Sequence, residues 1–254
     1  MEQTHEGLVA RQYEPRAAAY VGSAVHAAGA DLDQVEAFAA AAPGGRALDL
    51  GCGGGHVAYR LAAHAREVVA YDLTPAMLAA VAAAAAERGL ANLVTQQGAA
   101  ERMPFADASF DLVASRFSAH HWRDLDAGLR EARRVLAAGG RAIFVDSVAP
   151  GPPLLGTALQ AIELLRDPSH GCNYTAAEWL AALARAGFAV QAATARRLRM
   201  DFAAWTERMA TPALHVAAIR SLLASMPEPT RRHFAVEPDG SFMLDTLALE
   251  AVAR

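Results

Sequence analysis

Apolar and polar positions divide the first part of the chain into short apolar segments that alternate with longer, alanine-rich ones. The short segments contain β-branched residues and are bounded by glycine, proline or polar residues, which is typical of buried strands. They are Arg46–Leu50, Glu67–Tyr71, Leu93–Gln97, Phe110–Ser115 and Arg141–Val148. The alanine-rich segments between them have the composition of helices. Strands that alternate with helices predict a parallel sheet with right-handed crossovers.

Local signals mark the ends of two of these helices. Thr74-Pro75 supplies an N-cap and a proline at the first helical position, and the helix is predicted to stop before Gly89. A second helix is predicted over Leu125–Leu136. The pair Gly139-Gly140 is expected to end that helix.

The pattern changes at Pro150. Ala149–Pro153 contains three prolines, and mainly helical segments follow it. Phe188–Arg199 and Ser241–Ala253 have strand character, and a turn signal, Asp239-Gly240, precedes the second of them. A sheet of seven strands that ends in an antiparallel pair, with helices inserted between strands, accounts for this order.

Composition excludes several classes of protein. All 23 basic residues are arginine, so mechanisms that need a lysine are excluded, including Schiff-base and phosphate-loop chemistry. The arginines are dispersed among 27 acidic residues, whereas a nucleic-acid-binding protein concentrates its positive charge, so no nucleic-acid partner is expected. The longest apolar run, Ala76–Ala86, is too short for a membrane span. Two cysteines and no visible secretory signal favour a cytoplasmic location.

The strongest chemical signal lies at the end of the first predicted strand, in Ala47–Gly55. Glycines there allow a sharp turn and a close approach of the backbone to a ligand. Asp72, at the end of the second strand, is placed to accept hydrogen bonds from a ribose diol. A loop and an acid of this kind also fit a nicotinamide dinucleotide. However, the loop spacing is Gly-x-Gly-x-Gly, and Asp49 is placed to orient an ammonium group, which that dinucleotide lacks.

A further block, Gly98–Val113, completes a family resemblance. Together with Asp49–Gly55 and Asp72–Leu78, it resembles the class I S-adenosylmethionine-dependent methyltransferases, in the ubiquinone/menaquinone-biosynthesis-like group, or methyltransferase type 11. The resemblance implies a single Rossmann-like α/β domain: a mainly parallel seven-stranded sheet with helices on both faces, an antiparallel last strand and an inserted helical lid. Within residues 1–254, the expected parts are N-terminal helices at 1–45, a cofactor-binding core at 46–149, lid insertions at 150–186 and 200–235, and a final strand pair at 187–199 and 241–253.

The resemblance also implies roles for individual residues around S-adenosyl-L-methionine. Gly51, Gly53 and Gly55 would pass under the methionine moiety, Asp49 would lie near its amino group, and Asp72 would hold the ribose hydroxyls. The adenine would lie between Leu73 and Met77 and would meet the backbone of Ala99 and Ala100, while Arg116 and Tyr20 would line or close the site. The sequence departs from the family at position 99, where Ala99 stands in place of the usual aspartate. Adenine recognition then loses one hydrogen bond, worth about 1 kcal/mol, unless a water molecule or Glu101 replaces it.

Three histidines are the candidate catalytic residues. His120 and His121 follow the fourth strand, and His170 lies in the expected lid. No ligand spacing of Cys, His or Glu accompanies them, so a metal site is not expected. One of the three is predicted to act as general base if the acceptor must lose a proton. Asp146, at the end of the fifth strand, is expected to point to the place where the acceptor binds. Both a structural and a functional role are open for it.

The sequence therefore predicts transfer of a methyl group to an O, N or C nucleophile of a small molecule. Because the expected lid is apolar, the acceptor is expected to be apolar or aromatic. Two alternatives stay open at this point: a catalytically silent protein that binds S-adenosylmethionine, and a nicotinamide-dependent oxidoreductase. The expected partner is the small-molecule methyl acceptor. A homodimer is left open.

Overall fold

Seven strands form one sheet in a computed structural model that describes residues 4–22 and 27–254. They are β1 (Arg46–Leu50), β2 (Glu67–Asp72), β3 (Leu93–Gln97), β4 (Phe110–Arg116), β5 (Leu136–Ser147), β6 (Phe188–Met200) and β7 (Phe242–Ala253). Their order across the sheet is β3-β2-β1-β4-β5-β7-β6. Strands β1 to β5 pair in parallel, and β7 lies antiparallel between β5 and β6. The predicted fold, a mainly parallel seven-stranded sheet with an antiparallel last strand, is confirmed.

Helices connect the strands and precede the first one. They are α1 (His5–Tyr13), α2 (Ala17–Val21), α3 (Ala30–Ala40), α4 (His56–Leu61), α5 (Pro75–Glu87), α6 (Leu125–Val135), α7 (Pro153–Arg166), α8 (Ala176–Ala186), α9 (Phe202–Arg208), α10 (Ala213–Ser225) and α11 (Glu228–His233). Residues 1–3 and 23–26 of the predicted N-terminal helical region lie outside the described residues. Within the described ranges, no helix combines the length and the apolar character that crossing a bilayer demands.

The predicted end of α6 is wrong. Strand β5 already begins at Leu136, so Gly139 and Gly140 lie inside the strand and do not cap the helix. Phe110 of β4 pairs with Leu136, whereas the next pair on that strand joins Leu112 to Arg141. The extra residues of β5 form an irregularity in which Gly139 has a φ of 71°. Glycine tolerates this left-handed backbone, and a β-bulge often requires it.

Both faces of the sheet are buried along its central strands, as their apolar character predicts. Successive residues of β1 join different clusters, with Leu48 on one face and Ala47 on the other. Helix α8 belongs to the first face, because its Trp179 packs with a ring-centroid distance of 6.0 Å against Phe144 of β5. A third cluster joins α7, α9, α10 and the end of β6 around Trp205. The segment predicted as a lid over 150–186 is thus divided between a helix on the sheet, α8, and a helix in a separate small core, α7.

Two glycines in matched positions test the packing of these helices. Gly128 and Gly156 are the fourth residues of α6 and α7. A Cβ on Gly128 would lie 2.4 Å from Cε3 of the buried Trp122, whereas a Cβ on Gly156 would meet no atom closer than 3.7 Å. We expect Gly128→Ala to lower the free energy of unfolding by about 1–3 kcal/mol through overpacking. Gly156→Ala should raise it by up to about 1 kcal/mol, because alanine favours the helix.

Chemical denaturation of both variants measures the two changes. Equal, stabilising effects of the two substitutions would contradict the packing described around Trp122.

Candidate functional site

A cavity of about 370 Å³ lies at the carboxyl ends of the parallel strands. Its lining includes the end of β1 at Leu50, of β2 at Asp72, of β4 at Arg116 and of β5 at Ser147. Open parallel sheets bind their ligands at this edge, beside the point where the strand order reverses. In this sheet the reversal falls between β1 and β4.

The loop after β1 brings the backbone close to the cavity. Gly51 and Gly53 have φ values of 73° and 47°, a region that glycine adopts without strain. A Cβ on Gly51 would lie 1.8 Å from Oγ of Ser118, so that position has no room for a side chain. A Cβ on Gly53 would meet no protein atom within 4 Å, and Gly53 lines the cavity. A side chain at Gly53 would therefore occupy space that a ligand could use. Gly55 is not among the lining residues.

Two carboxylates face the cavity beside this loop. Asp49 is 1% exposed, and its Oδ2 accepts a hydrogen bond of 2.8 Å from the backbone N–H of Ala58. Burial raises the pKa of Asp49 to about 7, so a cation beside it would favour the charged form. Asp72 accepts from the backbone N–H groups of Gly53 and Thr74, each at 2.9 Å and each through a different oxygen. These bonds tie the end of β2 to the glycine loop.

The predicted adenine-binding residues line the same side. Leu73, Met77, Ala99 and Ala100 are all part of the cavity wall. The carbonyl oxygen of Ala99 already accepts a hydrogen bond of 3.0 Å from the hydroxyl of Tyr71. This bond fixes the backbone at the position where the family's aspartate is missing.

The N-terminal helices close the cavity from outside. Tyr20 lines it, and its hydroxyl donates to Sδ of Met209 at 3.2 Å. Arg116 lines it too, in an ion pair of 2.5 Å between its Nε and Oδ2 of Asp31 on α3. Because both side chains are held by the helical parts of the chain, the placement of these helices determines the shape of this wall.

His120 lines the cavity and forms a hydrogen-bonded pair with Asp146. Nδ1 of His120 lies 2.6 Å from Oδ1 of Asp146, and Oδ2 accepts from the backbone N–H of His120 at 3.2 Å. Since a carboxylate only accepts hydrogen bonds, Nδ1 carries the proton and Nε2 has a free lone pair in the neutral ring. Nε2 makes no hydrogen bond to any residue within the described ranges, and His120 lines the cavity.

Electrostatics separates His120 from its two neighbours. Burial alone would lower the pKa of His120, but the charge and hydrogen bond of Asp146 outweigh it, and the pKa is raised. The pKa of His121 is lowered to about 4, and that of His170 to about 3, by burial and by the neighbouring histidines. At neutral pH, His121 and His170 are therefore uncharged, and His120 is the ring best able to hold a proton.

The contacts of the other two histidines are structural in kind. His121 lies with Nδ1 3.0 Å from the carbonyl oxygen of Ser169 and Nε2 2.8 Å from the hydroxyl of Tyr13. Nε2 of His170 lies 2.8 Å from Oε1 of Gln160, and His170 does not line the cavity. The structure thus brings His120 and His121 to the cavity wall and leaves His170 behind it. In the described part of the chain, no group of three or more His, Cys, Asp or Glu side chains is arranged to hold a metal ion.

Several lining residues carry no signal in the sequence that would have identified them. They are Tyr13, Glu163, Arg196 and Arg208. Tyr13 belongs to the first described helix, and the others lie after Pro150. Ser147, which also lines the cavity, has a positional signal, because it ends a parallel strand.

Comparisons with known proteins agree with this geometry. The family described as "Methyltransferase domain" matches residues 48–144. The protein YafE of Escherichia coli is 44% identical over 197 residues, which cover 78% of this chain and 95% of YafE. The methyltransferase YcgJ of Bacillus subtilis is 32% identical over 247 residues, 95% of this chain and 98% of YcgJ. The crystal structure of YcgJ superposes with a TM-score of 0.85 over 88% of this chain and 98% of YcgJ.

A demethylmenaquinone methyltransferase of Chlorobaculum parvum is 37% identical over 109 residues, which cover 42% of this chain and 43% of that enzyme. These similarities overturn the alternative of a nicotinamide-dependent oxidoreductase. The chain belongs to the methyltransferase domain family and is an S-adenosylmethionine-dependent methyltransferase.

Proposed function

We propose that this methyltransferase methylates a nucleophile that carries a removable proton on a small molecule, and that His120 is the general base. The observation that carries the proposal is the pair of His120 and Asp146 at the cavity wall. Similarity to a demethylmenaquinone methyltransferase supports a small-molecule acceptor with an apolar or aromatic body.

The residues beside the glycine loop fit the methyl donor. S-adenosylmethionine supplies a methyl group activated by its sulfonium charge, so the protein has to align the acceptor and exclude water. Each oxygen of Asp72 accepts one backbone N–H and keeps capacity for a second donor, which is what two ribose hydroxyls require. The buried carboxylate of Asp49 suits the amino group of the methionine part. Gly53 leaves the space between them open.

His120 is suited to remove the proton of the acceptor. Its Nε2 lone pair has no hydrogen bond to a described residue, and Asp146 fixes both the tautomer and the orientation of the ring. The same carboxylate stabilises the imidazolium that forms when the ring takes up a proton. His121, with its low pKa and its bond to Tyr13, fits a positioning role for the wall.

The location and the partners are also part of the proposal. Two free cysteines support a cytoplasmic, reducing location. Dispersed arginines and a net charge of −4 support a small-molecule rather than a nucleic-acid acceptor. A homodimer stays a prediction, which sedimentation of the purified chain would test.

Replacing Asp72 tests the cofactor side. Asp72→Ala removes the acceptors of the ribose hydroxyls and frees the loop at Gly53. We expect the affinity for S-adenosylhomocysteine to fall about a hundredfold, or roughly 2–3 kcal/mol. Calorimetry measures the change, with Asp107→Ala as control, because the Asp107 side chain is 80% exposed and away from the cavity. Affinity of Asp72→Ala within about twofold of the native protein would remove Asp72 from the site.

Replacing His120 tests the base. The ring must be neutral to accept a proton, so turnover should rise with pH through the raised pKa of His120. We expect His120→Gln to lower turnover by ~10²–10⁴ and to abolish this acidic limb. Asp146→Asn removes the charge that raises the pKa, so its limb should move to lower pH. Turnover is followed with labelled methyl donor and a metabolite extract at saturating cofactor.

His170→Gln is the matched control, because it removes a neighbouring buried imidazole that does not reach the cavity. Its pH profile should keep the acidic limb. Native turnover and an unchanged limb in His120→Gln would show that His120 is not the base.

A further inference from the structure

The part of the chain after Pro150 contributes more arginines than carboxylates to the lining of the cavity. The arginines are Arg166, Arg196, Arg197 and Arg208, and the carboxylate is Glu163. Charged groups in a partly enclosed site interact more strongly than they do in water.

Two of these arginines lie beside carboxylates. Nη1 of Arg166 lies 3.8 Å from Oε2 of Glu163, and Nε of Arg197 lies 3.1 Å from Oδ1 of Asp245. Burial raises the pKa of Glu163, which weakens the compensation that it offers. Over the whole cavity the lining holds as many Asp and Glu as Arg side chains, so the positive charge belongs to the part contributed by the chain after Pro150.

Arg196 carries part of this positive charge. Its guanidinium makes no ion pair or hydrogen bond with any residue in the ranges that the structure describes. It also borders a shallower groove on the outer side, together with Pro150 and Thr175, so it stands between the cavity and the surface. A guanidinium in this position can bind a carboxylate or a phosphate through two parallel hydrogen bonds.

The sheet sets the distance between Arg196 and the proposed base. Arg196 on β6 pairs with Thr246 on β7, which pairs in turn with Ser147 on β5. Ser147 follows Asp146, the partner of His120, so Arg196 shares a face of the sheet with Ser147, and Asp146 points to the opposite face. Two strand spacings of ~4.8 Å separate β5 from β6, so Arg196 lies on a strand about 10 Å from the strand of Asp146.

Arg208, at the end of helix α9, also lines the cavity. Burial and the charge of Arg166 lower the pKa of Arg208, so its surroundings disfavour the cation. A bound anion would reverse this, because an opposite charge favours the charged form. The same part of the chain also contributes apolar side chains to the lining, among them Leu198, Met200 and Leu244.

We propose that the methyl acceptor is a small organic anion whose carboxylate or phosphate binds Arg196, with its apolar body against Leu198 and Leu244 and its nucleophile at His120. The inference rests on the proposed function and specifies its substrate class. The anionic group and the methylated atom are separate parts of this acceptor.

Binding of matched acids and amides tests the charge requirement directly. The probes are benzoate, phenylacetate and 3-phenylpropionate, each with its neutral amide, and phenyl phosphate. Dissociation constants are measured by NMR titration of the complex with S-adenosylhomocysteine. We expect at least one acid to bind about tenfold or more tightly than its amide. Tighter binding of a carboxylate or of phenyl phosphate than of the neutral amides supports the proposal. Which of the two anions binds more tightly identifies the anionic group that the site takes.

Two variants assign the effect to the cavity. Arg196→Gln should weaken acid binding about tenfold to a hundredfold and remove the preference for the acid. Arg199→Gln makes the same change of charge on the same strand, at an exposed ion pair with Glu237 outside the cavity, and should leave the preference intact.

The proposal is overturned if every acid binds within about twofold of its amide, or if Arg196→Gln keeps the preference. Binding of S-adenosylhomocysteine is measured first, without probes. Its absence would refute the proposed function, whereas its presence without an acid preference would refute only the anionic acceptor.

Discussion

Parallel pairing of β1, β2, β4 and β5 brings the ends of four strands to one edge of the sheet, and every proposed chemical group depends on this constraint. Asp49 and Asp72 come from two of these strands, on the side proposed for the methyl donor, and Asp146 comes from another, on the side proposed for the acceptor. The backbone N–H groups at this edge are partly satisfied by the same carboxylates, as the bonds of Asp72 to Gly53 and Thr74 show. The edge is therefore both the place where the loop is held and the place where ligands bind.

Different surroundings give His120, His121 and His170 different properties. Burial and the neighbouring histidines lower the pKa of His121 and of His170. His120 differs because the buried carboxylate of Asp146 faces its Nδ1, so each partner stabilises the charge of the other. Removing one member of such a pair leaves an unmatched charge in the interior. The ring that faces the strand-end carboxylate is therefore the one that we propose as the base.

Sequence reasoning works well where the signal is local. The strand segments, the glycine loop and Asp72 follow from apolar runs, glycine spacing and position at a strand end. It fails at Gly139, because a glycine after a helix is read as a cap, and only the pairing of β5 with β4 shows a bulge. Arg196 and Tyr13 reach the cavity through strand order and helix packing, which pair residues far apart in the chain. No local pattern records those contacts.

The central claim is that Asp146 makes His120 the base of this site, and titration of the individual imidazoles tests it most directly. The Cε1 signals of ¹³C-labelled histidine are followed by NMR against pH in the complex with S-adenosylhomocysteine. The account predicts that His120 titrates at a higher pH than His121, and that Asp146→Asn lowers the midpoint of His120. A midpoint of His120 at or below that of His121, or one that Asp146→Asn leaves unchanged, would contradict it.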